Sequence, residues 1–165
     1  MTETLTPEEK AVKLLGKAGY TVSTAESCTG GLLAGTLINV PGASKVINAG
    51  FITYSNEAKM AHLGVLEDTL EKYGAVSEQT ARQMAEGAAK HGPADVGIST
   101  TGIAGPDGGT KDKPVGLVYI GCCVRGSVTV KECRFSGTRK EIRMSAVLSA
   151  LELLNKCLSE SGLEE

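Results

Sequence analysis

The strongest constraint on the fold lies in residues 25–31 (AESCTGG), where three hydroxyl or thiol side chains precede two adjacent glycines. An alternating apolar segment at residues 21–25 leads into this stretch, and a helix-like segment at residues 32–40 follows it. The pattern predicts a strand that ends in a tight turn and passes directly into a helix. Such a turn presents a nucleophile beside helical N–H groups that have no partner inside the helix. The same pattern also fits an ordinary strand-to-helix connection in which Ser27 caps the helix and Glu26 orients the loop.

Helical and strand-like patterns alternate through the first hundred residues, and a hairpin pattern follows them. Apolar spacing and capping signals predict helices at residues 7–18, 32–40, 56–63, 67–73, 78–91 and 139–158. Strands are predicted at residues 20–25, 46–54 (with a bulge at Gly50), 96–100, 115–124 and 128–135. This order predicts a single-domain α/β fold over residues 1–165, with three α/β/α layers and a mixed sheet. The ends, at residues 1–5 and 159–165, are expected to fray.

Composition excludes several classes of protein. The net charge is −2 and the basic residues are not clustered, which argues against a nucleic-acid partner. The five cysteines include no C-x-x-C pair, and with only two histidines a metal site is not expected. No apolar run is long enough to span a membrane, and the N-terminus has no apolar signal-peptide core. We therefore expect a soluble cytoplasmic protein without a membrane partner.

Ser27 and Cys28 are the two candidate nucleophiles. A serine needs a base, and His62 and His91 both lie at predicted helix ends, where a surface or capping role is ordinary. Lys59 follows the second predicted strand, so it would meet Ser27 if the first two strands run parallel and adjacent. Burial would lower its pKa, although an exposed helical lysine is the simpler interpretation. A helix N-terminus would lower the pKa of Cys28, and only one of the two adjacent nucleophiles is expected to face a site.

Arg139 and Arg143 share one face of the first turns of the last helix, where cations oppose the helix dipole. Their placement is explained by an anion held at that end or, equally well, by salt bridges to carboxylates such as Glu141. The glycine-rich segment at residues 101–110 contains little that can build a core, which indicates a functional loop. The hydroxyl of Tyr54, at the end of a predicted strand, would reach either the site or solvent.

Four segments carry a resemblance to a known family. They are residues 24–31 (TAESCTGG), residues 54–59 (YSNEAK), residues 74–77 (GAVS), and residues 101–110 (TGIAGPDGGT) with 113–116 (KPVG). In this order they resemble the CinA C-terminal domain family, whose members include nicotinamide mononucleotide amidohydrolases. The chain is similar to the stand-alone form, because it begins at Met1. The resemblance implies hydrolysis of the carboxamide of nicotinamide mononucleotide, which gives nicotinic acid mononucleotide and ammonia.

The resemblance also implies roles for individual residues. Ser27 matches the nucleophile and Lys59 its base, and Tyr54 would orient Lys59 or join proton transfer. The expected substrate contacts are the backbone around Thr29, Gly30 and Gly31, the loop residues Gly102, Ile103, Ala104 and Gly105, and, for the phosphate, Arg139 and Arg143. No metal or other cofactor is required, because an activated serine and an oxyanion hole suffice. A homo-oligomer is expected. The alanine face of the helix at residues 78–91 predicts close packing on a sheet, and this helix and the hairpin strands are the candidate dimer interface. A regulatory nucleotide-binding module without turnover, or an amidase for another small amide, stays open as an alternative.

Overall fold

The computed structural model describes residues 3–162. Over this range the chain forms six α-helices, five strands and one short 3-10 helix. The elements follow the order α1 (Pro7–Ala18), β1 (Val22–Glu26), α2 (Leu32–Ile38), the 3-10 helix (Ala43–Lys45), β2 (Ile47–Ile52), α3 (Asn56–Leu63), α4 (Glu67–Tyr73), α5 (Glu78–His91), β3 (Val96–Gly102), β4 (Leu117–Val124), β5 (Ser127–Arg134) and α6 (Arg139–Glu160). The predicted alternation of helices and strands, ending in a hairpin, is confirmed.

The five strands form one mixed sheet in the order β2-β1-β3-β4-β5. Strand β1 pairs in parallel with β2 and with β3, whereas β4 is antiparallel to both β3 and β5. The carboxyl ends of β1, β2 and β3 therefore lie at the same edge of the sheet. In open α/β sheets, ligands bind outside this edge, where the strand order reverses. Here the reversal falls at β1, which has β2 on one side and β3 on the other.

Helices cover both faces of the sheet, as the three-layer prediction requires. Helices α1, α2 and α6 pack on one face, and α5 packs on the other, with α3 and α4 against it. Successive residues of β3 point to opposite faces of the sheet. Ile98 joins the core under α6, whereas the Ser99 hydroxyl donates a 2.7 Å hydrogen bond to the Ala81 carbonyl of α5. A Cβ on Gly97 would lie 2.0 Å from the Ala85 carbonyl oxygen. The alanine face of α5 is therefore occupied inside the chain and is not free for a dimer interface.

The helix starts follow their predicted caps. Thr6 and Thr138 each accept a hydrogen bond from the third helical N–H and complete a capping box with Glu9 and Glu141. The frayed C-terminal segment was predicted to begin at Ser159, but α6 continues through Glu160, so the first two residues of that segment are helical. Residues 1–2 and 163–165 lie outside the described range.

Several strand boundaries differ from the predicted ones. Strand β3 continues to Gly102 because Thr101 and Gly102 pair with β4, so the glycine-rich loop begins two residues later than expected. Strand β2 is shorter than predicted, and its irregular register falls just before Gly50 rather than at it. The hairpin turn has two residues, Arg125 and Gly126, both at positive φ (48° and 90°), as a type I′ turn requires.

No helix within residues 3–162 combines the length and apolar character needed to cross a membrane.

Candidate active site

Ser27 and Lys59 meet at the carboxyl edge of the sheet. Ser27 is the first residue after β1, and Lys59 lies in the first turn of α3, which follows β2. Since β1 and β2 are adjacent and parallel, the two residues emerge side by side. The Lys59 Nζ lies 3.1 Å from the Ser27 Oγ, within hydrogen-bond distance. The expectation that these strand ends meet is confirmed.

Lys59 is buried although it is positively charged when protonated. Its side chain is only 1% exposed, and its Nζ donates to the carbonyl oxygens of Thr53 (2.8 Å) and Tyr54 (3.3 Å). Among residues 3–162, no carboxylate lies within 4 Å of this amine. Burial lowers the pKa of Lys59 from 10.5 to about 8, because it penalises the charged form. The simpler interpretation, an exposed helical lysine, is wrong, and a fraction of the amine is neutral near pH 7.

Glu26, rather than Ser27, caps helix α2. Its two carboxylate oxygens accept hydrogen bonds from the N–H groups of Leu33 (2.8 Å) and Ala34 (3.1 Å), and the Thr29 hydroxyl donates to the same carboxylate at 2.5 Å. The α2 N-terminus therefore has a permanent internal anion, so it is not a site for an external one. The orienting role expected of Glu26 agrees with this geometry, and the Ser27 side chain is left for the cleft.

The residues 27–31, which we call the nucleophile turn, supply fewer free N–H groups than expected. The Gly30 N–H donates to the Ser27 carbonyl at 3.3 Å and so closes the turn. By contrast, the N–H groups of Thr29 and Gly31 donate no hydrogen bond to any other residue of the described range. Thr29 is fully buried, so Gly31 is the one of the three expected oxyanion donors whose N–H is unpaired and whose residue is partly exposed. None of residues 29–31 lines the cleft described below. Gly30 adopts φ +57°, which a side chain would disfavour, and so allows the tight reversal.

Cys28 lies in the nucleophile turn but has the wrong electrostatic environment for a thiolate. Burial raises the pKa of its thiol to about 11, with a smaller contribution from the nearby Glu26 carboxylate. Burial outweighs the lowering that was expected from the α2 N-terminus, so the pKa prediction for Cys28 is wrong. Ser27 and Cys28 both line the cleft, but Cys28 also packs in the hydrophobic core.

The two nucleophile candidates open into a cleft of about 180 Å³. Its lining residues are Ser27, Cys28, Tyr54, Lys59, Ala75, Val76, Thr101, Gly102, Ala104 and Arg139. Of the loop residues expected to contact a substrate, Gly102 and Ala104 line this cleft, whereas Ile103 and Gly105 do not. Ala75 and Val76 were assigned no role from the sequence, although they belong to the GAVS segment that carries part of the resemblance.

The two arginines expected to bind phosphate point to different partners. Arg139 lines the cleft, where its guanidinium donates to the Gly105 carbonyl (2.7 Å) and to the Tyr54 hydroxyl (3.2 Å). Arg143 lies outside the lining and donates instead to the carbonyls of Cys28 (2.9 Å) and Thr29 (3.2 Å). Within residues 3–162 neither forms a salt bridge, so the predicted pairing with carboxylates is wrong.

The backbone and the side chain of Tyr54 contact different residues of the site. Its carbonyl accepts a hydrogen bond from Lys59, whereas its hydroxyl is held by Arg139 and its side chain is 66% exposed. The contact of Tyr54 with Lys59 is therefore made by its main chain, not by its hydroxyl. Over the described range, no three His, Cys, Asp or Glu side chains lie close enough together to hold a metal ion.

Comparison with known proteins agrees with this geometry. The model of the CinA C-terminal domain matches residues 4–158. A Clostridium novyi protein named for competence-damage induction is 58% identical over 160 residues, which cover 97% of this chain and 39% of that protein. The chain thus spans about two fifths of the length of the curated relatives it matches.

Solved structures match over nearly their whole length. The competence/damage inducible protein CihA from Agrobacterium tumefaciens is 45% identical with a TM-score of 0.87, and the match covers 96% of this chain and 99% of that one. A CinA superfamily protein from Klebsiella pneumoniae is 33% identical with a TM-score of 0.90, over 93% and 96% of the two chains. The fold, the spacing of the site segments and these matches together show that the chain belongs to the CinA C-terminal domain family.

Proposed function

We propose that this protein is a carbon–nitrogen hydrolase that converts nicotinamide mononucleotide to nicotinic acid mononucleotide and ammonia. The observation that carries the chemistry is the 3.1 Å contact between the Ser27 Oγ and a buried Lys59 that has no carboxylate partner in the described range. A lysine in this setting acts as a base near neutral pH, because burial disfavours its charged form. The choice of substrate rests on the family resemblance.

Acylation is the first chemical stage. The Ser27 Oγ attacks the carboxamide carbon while neutral Lys59 accepts the hydroxyl proton, and a tetrahedral intermediate with an oxyanion forms. The unpaired N–H of Gly31, which is partly exposed, is the candidate donor to that oxyanion. Removing one such donor typically costs about 3 kcal/mol of transition-state stabilisation. Protonated Lys59 then gives its proton to the departing amine, so ammonia leaves and an ester with Ser27 remains.

Deacylation reverses the same proton path. Lys59, neutral again, accepts a proton from a water molecule that attacks the ester carbon, and the proton passes to the Ser27 Oγ as the acid product departs. The backbone carbonyls of Thr53 and Tyr54 hold the amine throughout, since each accepts a hydrogen bond from its Nζ. One water molecule is consumed and one ammonia is released per turnover.

The size of the cleft supports recognition of the ring and amide inside it and of the phosphate at its rim. A volume of about 180 Å³ is below the range of pockets that enclose a whole drug-sized ligand. The ribose phosphate would therefore extend outward past Tyr54 toward Arg139, which is exposed and already lines the cleft. A guanidinium with donors facing outward suits a phosphate because it offers paired hydrogen bonds.

Ammonia release from nicotinamide mononucleotide tests the proposal. We expect Ser27→Ala and Lys59→Met to lose at least about a thousandfold in kcat, and Cys28→Ala to retain activity within about threefold of wild type. Full activity in Ser27→Ala would exclude Ser27 as the nucleophile. Loss of activity in Cys28→Ala, together with retained activity in Ser27→Ala, would identify Cys28 as the nucleophile.

Two measurements separate the alternative functions. A panel of small amides, read by ammonia release, would reveal an amidase with another substrate. Calorimetric binding of nicotinamide mononucleotide by wild type without any ammonia release would instead indicate a regulatory nucleotide-binding module.

A further inference from the structure

Arg143 makes two hydrogen bonds to the backbone of the nucleophile turn. Its Nε donates to the Cys28 carbonyl at 2.9 Å, and a terminal nitrogen donates to the Thr29 carbonyl at 3.2 Å. The guanidinium lies so close that a Cβ on Gly30 would be 3.2 Å from it. Arg143 thus contacts the backbone of the turn that carries Ser27 and does not line the cleft.

These two hydrogen bonds fix the backbone of the turn. The Cys28 carbonyl lies one residue beyond Ser27, so the bond from Arg143 holds the peptide unit that follows the nucleophile. Charge-assisted hydrogen bonds of this kind are roughly twice as strong as neutral ones. The Thr29 carbonyl belongs to the same peptide unit as the Gly30 N–H, which closes the turn onto Ser27.

The same contacts argue against a phosphate role for Arg143. Both of its hydrogen bonds go to backbone carbonyls of the nucleophile turn, and its half-buried side chain does not line the cleft. Arg139, one helical turn earlier, is exposed at the rim of the cleft. The two arginines therefore face different tasks even though they share a helix face.

We propose that Arg143 is a positioning residue for the reaction: it fixes the nucleophile turn and thereby holds the Ser27 Oγ in place beside Lys59. The inference rests on the proposed function only in that it takes Ser27 as the nucleophile.

Acylation by p-nitrophenyl acetate tests this role without a phosphate or a nucleotide. The acetyl group passes from p-nitrophenol to the Ser27 Oγ, and the released p-nitrophenolate is followed by its absorbance, with Ser27→Ala as the blank. We expect Arg143→Met to slow acylation by about tenfold to a hundredfold, since a misplacement of a reacting group by about 1 Å can cost roughly a hundredfold in rate. Arg143→Lys should recover only part of this loss, because one ammonium cannot replace two fixed guanidinium donors.

Lys140→Met is the matched control. Lys140 is exposed in the first turn of α6, three residues before Arg143, and carries the same charge as Arg143. Its removal therefore reproduces any general electrostatic effect of losing one positive charge. We expect this variant to acylate at the wild-type rate. Thermal unfolding of all variants identifies loss of fold. If Arg143→Met does not fold, Arg143→Lys carries the test.

Kinetics with nicotinamide mononucleotide separate positioning from phosphate binding. A positioning role lowers kcat in Arg143→Lys with KM unchanged, and leaves the midpoint of the pH–rate profile at its wild-type value because Lys59 is untouched. A phosphate role instead raises KM for the nucleotide alone.

The outcomes separate the two proposals. Wild-type acylation rates in both Arg143 variants, or a KM effect confined to the nucleotide, would overturn the proposed role of Arg143. Neither result would contradict the proposed hydrolysis of nicotinamide mononucleotide. A wild-type protein that is acylated at Ser27, with slower acylation in the Arg143 variants, but that releases no ammonia from nicotinamide mononucleotide, would refute the substrate and support Arg143.

Discussion

Position 59 holds a lysine where the core of a protein ordinarily holds an aliphatic side chain. Lys59 is among the largest fully buried side chains of the described chain. Its sequence neighbours gave no sign of this, because α3 reads as a polar surface helix and only the family resemblance selected Lys59. The amine lies against Ser27, Thr53 and Tyr54, which follow β1 and β2, and this meeting of separate segments is contained in no local pattern. A residue that is expensive to bury and lies against a serine is typical of a reactive site.

The pH dependence of turnover follows from the pKa of Lys59. Because the neutral amine is the active form, we expect kcat/KM to rise about tenfold per pH unit below about pH 8 and to level off above it. Initial rates of ammonia release between about pH 6 and pH 9.5, with nicotinamide mononucleotide well below KM, measure this. A profile that is flat up to pH 8 would contradict the role of Lys59 as base.

Arg139 is expected to distinguish nucleotide from nucleoside. The Arg139→Met substitution removes the guanidinium at the rim of the cleft, so KM for nicotinamide mononucleotide should rise by about tenfold to a hundredfold, as loss of a charge-assisted contact implies. KM for nicotinamide riboside, which lacks the phosphate, should change by less than about threefold. Equal changes in KM for both substrates would contradict the assignment of Arg139 to the phosphate.

At the scale of elements, the contact between α5 and the sheet shows what a sequence pattern can and cannot predict. The small-residue face of α5 predicted close packing on a sheet, and Ala81 and Ala85 do contact β3. The partner residue, Gly97, could not be identified, because which strand lies under a helix depends on contacts between distant parts of the chain. The caps of α1 and α6 were predictable because each is formed by residues three positions apart.

The packing of α5 predicts opposite effects for two glycine substitutions. Gly97→Ala would place a methyl group about 2 Å from the Ala85 carbonyl oxygen, and should lower the free energy of unfolding by about 2–3 kcal/mol or more. Gly16→Ala, in the interior of α1 with no atom within 4 Å of the new Cβ, should raise it by about 0.5–1 kcal/mol. Urea unfolding followed by circular dichroism measures both. Similar values for the two variants would contradict the packing described for Gly97.

For the molecule as a whole, the chain order predicted the three layers and the mixed sheet but not the order of its strands. Alternating apolar patterns mark each strand, yet nothing local states that β1 lies between β2 and β3. That arrangement creates the site, because it brings Ser27, Lys59 and Thr101 to one edge. The candidate nucleophile was therefore predictable from its turn, whereas the cleft wall formed by Ala75 and Val76 was not.

Burial of Lys59 should also make global stability depend on pH. Since its pKa is lowered to about 8 in the folded state from 10.5, the unfolded chain binds more protons between these values. The stability of wild type should therefore fall as the pH decreases through this window, relative to a chain without the amine. Compared with Lys59→Met, wild type should gain about 2 kcal/mol in free energy of unfolding from about pH 7 to pH 9.5.

Urea titrations of the two proteins at both pH values measure this difference. Lys140→Met serves as the control, because Lys140 is exposed and its removal should leave the pH dependence of wild type intact. A constant difference between wild type and Lys59→Met at the two pH values would show that Lys59 titrates normally in the folded protein.

The lining of the cleft comes from separate stretches of chain. Ser27 and Lys59 precede residue 64, Ala75 and Val76 lie between the other two groups, and Thr101, Gly102, Ala104 and Arg139 come from beyond residue 100. Under the proposed function, the reacting pair and much of the substrate wall are therefore encoded in different parts of the gene. Exchange of residues 101–116 between relatives is then expected to change which amide is accepted while Ser27 and Lys59 are retained, so a new specificity can arise by replacing one segment.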